Sequence, residues 1–314
     1  MIPYTNNVNE KSTFKVFRDI LIGENMGFLM EAHDGLSAKI VQKAGFKAIW
    51  GSGLSISTAL GLRDTNEASW SDVIDVVSRI HESSGLPVLL DGDTGYGNFN
   101  NVRQMVKRLC REQIAAVCIE DKVFPKNNSF LDKGQELADI NEFCGKICAA
   151  KDAQTNNDFS VITRVEALIA GRGMREAIRR AEAYRRAGAD AILIHSKKSN
   201  ADEIIYFMKE WTNRLPVIIV PTKYHTTPVD IFRKFGVNLV IWANQNLRAS
   251  LRAMENVSRL IFKEQSISSM EEKIATVEEI FSLLNYKELE IAEIKYLPSY
   301  ANKKEGCVYD NCNH

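Results

Sequence analysis

The chain has 314 residues, of which 45% are hydrophobic and 25% are charged, a composition typical of globular proteins. Its 40 basic residues balance its 40 acidic residues, which excludes a general electrostatic attraction to nucleic acid or to an anionic membrane. No apolar run approaches the roughly 20 residues that would span a bilayer, and the N-terminus lacks the pattern of a signal peptide. We therefore expect a cytoplasmic protein that acts on small molecules.

Short apolar runs rich in β-formers alternate with amphipathic helical patterns along the chain. Eight runs are nearly continuously apolar, as expected for parallel strands buried on both faces. They cover residues 27–34, 47–53, 87–93, 115–121, 160–167, 190–196, 216–222 and 238–244. Eight strands, each followed by a helix, predict an α/β fold of the (β/α)8 or TIM barrel type. The alternative, an open doubly wound sheet, is disfavoured by the strand count and by the lack of a Gly-x-Gly-x-x-Gly turn.

The chain is expected to form one domain with three parts. Residues 14–264 are expected to form the barrel. Residues 265–298 include "MEEKIATVEEIFSLL", whose spacing predicts extra helix with an apolar face. An apolar helix outside a closed barrel needs a surface to cover, and a neighbouring subunit is one candidate. Residues 299–314 are polar and are expected to be a disordered tail.

Acidic residues follow two neighbouring predicted strands at their C-terminal ends, where barrels of this kind build their active sites. Asp91 and Asp93 lie two residues apart at one strand end, so the strand period directs both side chains the same way. Glu120 ends the next strand. Converging carboxylates repel one another unless a cation holds them, and an all-oxygen ligand set favours Mg²⁺, or Mn²⁺, over Zn²⁺. The alternative for the two aspartates is helix capping or turn chemistry.

Other residues at the same strand ends are suited to binding an anion. Ser52 and Gly53 follow a strand and leave backbone N–H groups open to a carboxylate or phosphate oxygen, although an ordinary βα turn is the alternative. The planar guanidinium of Arg164 suits carboxylate or phosphoryl oxygens, and a salt bridge to Glu166 or Glu120 is its alternative. His195 taken alone is more often structural than catalytic. Together these residues predict a barrel enzyme with a divalent metal and a small dianionic or trianionic substrate.

At these positions the sequence resembles the phosphoenolpyruvate mutase/isocitrate lyase superfamily, and its mutase branch most closely. The resemblance is carried by "IWGSGLSISTALGLRDTNEASW" (49–70), "DGDTGYGN" (91–98) and "EDKVFPKNNS" (120–129). The last segment fits the specific mutase pattern of Glu-Asp-Lys, five residues and Asn-Ser. The resemblance covers residues 14–298. It implies an isomerase of phosphonate biosynthesis that moves a phosphoryl group between the enol oxygen of phosphoenolpyruvate and the carbon of phosphonopyruvate.

The resemblance also implies a role for each matched residue. Asp91 would hold Mg²⁺ directly, and three further carboxylates would act mainly through metal-bound water: Asp93, Glu120 and Asp64. The substrate carboxylate would be bound by Ser52 and the backbone of Gly53 and Leu54, beside Trp50. The phosphoryl group in transit would be surrounded by Arg164, His195 and Asn128. Lys126 and Ser129 would belong to a loop, Lys122 to Leu131, that closes over the site. The family further implies helix-swapped barrels in homodimers or homotetramers.

Three alternative functions remain open at this stage. The carbon–carbon lyases of the superfamily carry a catalytic cysteine in the closing loop, where this chain has Lys126, Asn127, Asn128 and Ser129, so lyase activity is disfavoured. Phosphonopyruvate hydrolase shares the metal site and most of the loop, but tends to have threonine at the position of Asn128. A non-catalytic barrel is disfavoured by the full set of carboxylates, arginine and histidine at the strand ends.

Overall fold

Eight parallel strands form a closed barrel in which each strand pairs with the next and the last pairs with the first. The computed structural model describes residues 11–131 and 133–298. The strands are β1 (Gly27–Ala32), β2 (Ile49–Gly51), β3 (Val88–Asp91), β4 (Ala116–Glu120), β5 (Ser160–Val165), β6 (Ala191–Ile194), β7 (Val217–Ile219) and β8 (Leu239–Trp242). Each lies within an apolar run identified in the sequence, so the predicted (β/α)8 barrel is confirmed.

Helices lie before β1, between successive strands and after β8. They are α1 (Thr13–Ile22), α2 (Gly35–Lys43), α3 (Gly53–Ala59), α4 (Trp70–Ser84), α5 (Phe99–Arg111), α6 (Ile140–Ala153), α7 (Gly173–Arg186), α8 (Asp202–Trp211), α9 (Val229–Lys234), α10 (Gln245–Glu264), α11 (Val277–Leu283) and α12 (Tyr286–Tyr296). Several start at side chains that accept from the free N–H groups of the first turn, as Ser69 does at α4. Gly85 ends that helix in left-handed backbone at φ 65°, which glycine adopts without steric cost.

Two layers of buried apolar side chains hold the barrel together. The inner layer comes mainly from alternate strand residues such as Leu29, Leu89, Ile162 and Leu193. The outer layer packs the remaining strand residues against the helices. Because successive strand residues point to opposite faces and both faces are covered, nearly every strand position must be apolar. Charged side chains are therefore expected mainly near the strand ends.

The ends of four strands determine where the polar side chains lie. β3 ends at Asp91 and β4 at Glu120, while Arg164 is the penultimate residue of β5. Ser52, which was expected just past a strand, is the N-cap of α3. Asp93 lies beyond β3 with left-handed backbone at φ 50°. The turn, rather than the strand period inferred from the sequence, therefore directs its side chain.

The chain separates into two compact units, one ending at Leu251 and the other beginning at Arg252. Within the second unit, α11 begins with a capping box between Thr276 and Glu279. This unit exposes several large apolar side chains: Met254, Phe262, Ile291, Ile294 and Leu297. The predicted tail, residues 299–314, lies outside the described residues.

No helix within residues 11–131 and 133–298 combines the length and the apolar character needed to cross a bilayer.

Candidate active site

A cavity of about 50 Å³ opens at the C-terminal ends of the strands. Ten of the residues predicted from the sequence line it: Trp50, Ser52, Leu54, Asp64, Asp91, Lys126, Asn128, Ser129, Arg164 and His195. The other three predicted residues contact this set. A Cβ atom added at Gly53 would lie 3.2 Å from both Asp91 and Asp93, and a carboxylate oxygen of Glu120 lies 3.4 Å from Nε of Arg164. The structure therefore brings all thirteen together.

The carboxylates of Asp91, Asp93 and Glu120 are all buried. Burial, together with the carboxylates of Asp91 and Asp64, raises the pKa of Asp93 to about 7, although the ammonium of Lys126 lowers it. Burial likewise raises the pKa of Asp91. Oε1 of Glu120 is buried without a hydrogen-bond partner. Buried carboxylates that lie close together repel one another, so they form a site that gains stability from an added cation.

The turn between β2 and α3 approaches these carboxylates closely. The backbone N–H of Gly53 donates to Oδ2 of Asp91 at 3.3 Å. The Ser52 hydroxyl accepts from the N–H of Ser55 at 3.3 Å and caps α3. A side chain at position 53 would sit against both aspartates, so the missing Cβ lets the backbone come within reach of a ligand bound there.

Arg164 and His195 are held together by Glu166, a fully buried carboxylate at the end of β5. Nε of Arg164 donates to Oε1 of Glu166 at 2.5 Å. Nδ1 of His195 lies 2.8 Å from the same oxygen and 2.7 Å from Nη2 of Arg164. The salt bridge considered from the sequence therefore exists. It fixes the guanidinium at the edge of the cavity and leaves it available to a bound anion.

The two basic groups differ in how they respond to this environment. Burial and the neighbouring guanidinium lower the pKa of His195, and Glu166 only partly offsets them. Burial opposes the charge of Arg164, but Glu166, Glu120 and Asp91 outweigh it and raise its pKa. At neutral pH the arginine is therefore charged and the imidazole is neutral. The pair offers one permanent cation and one neutral hydrogen-bonding ring.

A lid, comprising residues 122–131 and 133–137, covers the cavity. The ammonium of Lys126 is buried between Asp64 and Asp93, 3.0 Å from Oδ1 of the former and in direct contact with the latter. The amide of Asn128 donates to Oδ2 of Asp64 at 2.6 Å. The Ser129 hydroxyl donates to Oε2 of Glu166 at 2.7 Å. Three predicted lid residues thus tie the lid to the barrel by charged hydrogen bonds.

Three residues that organise this arrangement were not among the predicted site residues: Lys122, Asn66 and Glu166. Lys122 is fully buried and donates to the Ser129 hydroxyl at 2.7 Å, with a Glu166 oxygen 3.4 Å away. Asn66 donates to Oδ2 of Asp93 and accepts from the backbone N–H of Lys126. The only sequence signal for Lys122 and Glu166 was their position beside Glu120 and Arg164, because their partners lie on other elements.

The residues present fit a divalent cation such as Mg²⁺, which prefers few protein ligands and keeps several waters. Among the described residues, no three His, Cys, Asp or Glu side chains are grouped closely enough to hold a metal directly. The oxygens of Asp91 and Glu120 nevertheless form a buried acidic surface. Such a surface suits an ion that one carboxylate binds directly and the other carboxylates bind through water molecules.

The fold and the site together define a class of protein: a TIM-barrel enzyme that binds a small anionic substrate at its strand ends beneath a polar lid. The chain belongs to the phosphoenolpyruvate phosphomutase family, whose model matches residues 17–262.

Two relatives in the family carry different names. A protein from Tetrahymena pyriformis named phosphoenolpyruvate phosphomutase is 58% identical over 281 residues, covering 89% of this chain and 94% of the relative. A protein from Variovorax named phosphonopyruvate hydrolase is 41% identical over 270 residues, covering 85% of this chain and 93% of the relative. Sequence identity is therefore higher to this mutase than to this hydrolase.

Two solved structures superpose on the barrel. The phosphoenolpyruvate phosphomutase of Streptomyces platensis matches with a TM-score of 0.89 at 41% identity, covering 92% of this chain and all of the other. A phosphonopyruvate hydrolase solved with oxalate and Mg²⁺ matches with a TM-score of 0.86 at 38% identity, with the same coverage. The backbone fold therefore does not distinguish the mutase from the hydrolase. Any difference between the two activities must come from the side chains in the site.

Proposed function

We propose that this chain interconverts phosphoenolpyruvate and phosphonopyruvate, moving the phosphoryl group between oxygen and carbon of one pyruvate skeleton. One observation carries the proposal: the lid brings Asn128 and Ser129 into the same cavity as Arg164 and His195, next to buried carboxylates. The relative from Tetrahymena pyriformis that is named a phosphomutase supports it. No cysteine lies in the lid sequence, which argues against a lyase.

The proposed reaction is an isomerisation and needs no co-substrate. The phosphorus–carbon bond of phosphonopyruvate breaks and its electron pair becomes part of the enolate, whose oxygen then bonds to phosphorus. No proton is gained or lost, so no strong general base is required. A loose, metaphosphate-like transition state needs positioning and charge stabilisation instead. Arg164 would stabilise the phosphoryl oxygens, and His195 and Asn128 would orient them without adding charge.

The remaining predicted residues would bind the pyruvate part of the substrate. Ser52 and the backbone of Gly53 and Leu54 would receive the carboxylate, beside Trp50. Asp91 would hold Mg²⁺, or Mn²⁺, with Asp93, Glu120 and Asp64 acting through water. When bound, the metal would stabilise the negative charge that develops on the enolate oxygen. The hydrolase structure solved with oxalate and Mg²⁺ supports this choice of ion for the family.

Phosphorus NMR of the purified protein with phosphonopyruvate and Mg²⁺ tests the proposal. We expect the phosphonate resonance to be replaced by that of phosphoenolpyruvate, because a closed lid denies water access to the phosphoryl group. The matched reaction without Mg²⁺ is the control. A sample in which no phosphorus resonance changes would contradict both the mutase and the hydrolase proposals.

Phosphonopyruvate hydrolase is the second candidate, because a protein with that name is 41% identical to this chain. The same experiment separates the two, since hydrolysis releases inorganic phosphate and pyruvate in place of phosphoenolpyruvate. Asn128, where the hydrolase branch tends to have threonine, favours the mutase. Rapid formation of inorganic phosphate as the first product would show that the protein is a hydrolase and not a mutase.

We also propose that the protein works as a homodimer or homotetramer with exchanged C-terminal helices. A groove of about 1520 Å³ lies on the barrel unit, lined in part by Ile20 of α1, Phe28 of β1 and Trp242 of β8. In the C-terminal unit Phe262 and Ile294 are 87% and 86% exposed. Two separate apolar surfaces favour a second copy of this chain as the partner that covers both.

Replacing Phe262 with glutamate is expected to shift the assembly towards the 35.4 kDa monomer, because a charge cannot be buried in an apolar interface without a partner. Asn256→Glu places the same charge on another side of α10 and should leave the mass unchanged. Light scattering after gel filtration measures both variants. A wild-type protein that is monomeric at micromolar concentration would contradict the proposal.

A further inference from the structure

A buried polar cluster lies outside the cavity and joins α7 to the base of the lid. It consists of Asp121, the residue after Glu120, together with Arg180 and Tyr184 of α7. Asp121 and Tyr184 are fully buried and Arg180 is 6% exposed. A buried charge cluster is costly unless every member is paired, so its contacts indicate what it holds in place.

Asp121 uses both carboxylate oxygens. Oδ1 accepts from the backbone N–H of Glu166 at 2.8 Å, which ties the end of β4 to the end of β5. Oδ2 accepts from Nη1 of Arg180 at 3.0 Å and from the Tyr184 hydroxyl at 2.6 Å. The same Nη1 donates to the carbonyl of Ala138 at 3.1 Å. Arg180 therefore contacts the chain on both sides of the lid.

The lid leaves and returns through a short paired stem. The N–H of Ala138 donates to the carbonyl of Asp121 at 2.9 Å, and the N–H of Val123 donates to the carbonyl of Glu136 at 3.0 Å. Between them Lys122 pairs with Leu137 in antiparallel fashion. The outgoing and returning limbs thus meet at Asp121 and Ala138, the two groups that Arg180 bonds.

We propose that Arg180 is a positioning residue that fixes the hinge of the lid and so keeps water from the phosphoryl group during transfer. The inference rests on the proposed mutase function. A guanidinium presents several donors in one rigid plane, which lets a single side chain join both limbs of the stem and also Glu176, whose Oε1 accepts from Nε at 2.8 Å. A lysine keeps the charge but has no such fork.

The product ratio of Arg180→Lys tests the role. The variant should release more inorganic phosphate per turnover to phosphoenolpyruvate, by about fivefold, the factor that corresponds to one lost hydrogen bond. Phosphorus NMR measures both products in one sample. Loss of stability alone would reduce both products in proportion, so it would leave this ratio unchanged.

Trypsin cleavage gives a second readout that does not depend on activity. Lys133 is exposed on the lid, and cleavage at the Lys133–Gly134 bond requires the lid to open locally. We expect Arg180→Lys to speed this cleavage by a similar factor. Arg179→Lys is the matched control and should change neither readout, because this exposed neighbour bonds Glu176 alone among residues 11–131 and 133–298.

Tyr184→Phe provides an independent variant that removes one donor to Asp121 and keeps the arginine. It should shift both readouts in the same direction, and it decides the question if Arg180→Lys does not fold. Unchanged product ratio and unchanged cleavage rate in the folded variants would overturn the inference. A wild-type protein that does not isomerise phosphonopyruvate would refute the proposed function, while the cleavage rates would still decide the hinge role.

Discussion

Replacing Arg164 with lysine is expected to lower the rate of phosphoryl transfer by about 10³-fold, within the range seen when an arginine that stabilises a phosphoryl transition state is lost. The guanidinium is fixed by Nε at 2.5 Å from Glu166 and by Nη2 at 2.9 Å from the Ser129 hydroxyl. A lysine has one donor centre, so it can satisfy Glu166 or the phosphoryl oxygens but not both in the required geometry. Steady-state kinetics with phosphonopyruvate measure the loss.

The lysine variant keeps a positive charge beside Glu166, so the fold should survive. We expect kcat to fall much more than KM rises, because the interaction is strongest in the transition state. Arg186→Lys, which changes an exposed arginine paired with Glu182, should leave both constants unchanged. A variant of Arg164 with a raised KM and an unchanged kcat would mean that the arginine only binds the substrate.

Replacing Asp91 with asparagine is expected to abolish Mg²⁺-dependent activity, with a loss of about 10³-fold or more. A metal contributes several kcal/mol of transition-state stabilisation, and each 1.4 kcal/mol corresponds to a factor of ten. Asparagine is nearly isosteric and its carbonyl can still accept from the N–H of Gly53. The change therefore removes charge from the metal site with little change in packing.

Thermal unfolding distinguishes loss of the metal from loss of the fold. Burial raises the pKa of Asp91, so the charged form destabilises the metal-free protein and the neutral amide should not lower its Tm. Added Mg²⁺ should raise the Tm of the wild type by mass action but not that of the variant. Asp75→Asn, on the exposed part of α4, is the control. A variant that retains the Mg²⁺-induced rise would show that Asp91 is not the principal ligand.

The barrel could be predicted from the sequence because each strand is buried on two faces. That condition demands continuous apolar runs, and eight of them alternate with helical patterns. The residues at which the strands end could not be predicted as well from the sequence. The apolar run before Ser52 and Gly53 does not reveal where β2 ends, because the change to α3 depends on the Ser52 cap and on the approach to Asp91.

Only part of the candidate site could be predicted from the sequence. Polar residues such as Asp91 and Glu120 stand out at strand ends, whereas Lys122 could not be recognised as buried, since lysine is almost never fully buried without a partner. Its partner Glu166 directly follows β5, and their contact depends on how the lid closes over two strands. Such contacts follow from tertiary packing and leave no local pattern in the sequence.

The charged groups of the cavity and lid couple the binding of a metal ion to the binding of the substrate. Five carboxylates face three strongly basic groups there: Asp64, Asp91, Asp93, Glu120 and Glu166 against Lys122, Lys126 and Arg164. With all five carboxylates ionised, a highly anionic substrate would meet net repulsion in this cavity. A divalent cation held beside Asp91 would bring the balance closer to neutrality, so it would favour binding of the anionic substrate. Lys126, whose ammonium lies between Asp64 and Asp93, supplies part of the positive charge that holds these carboxylates together when that ion is absent.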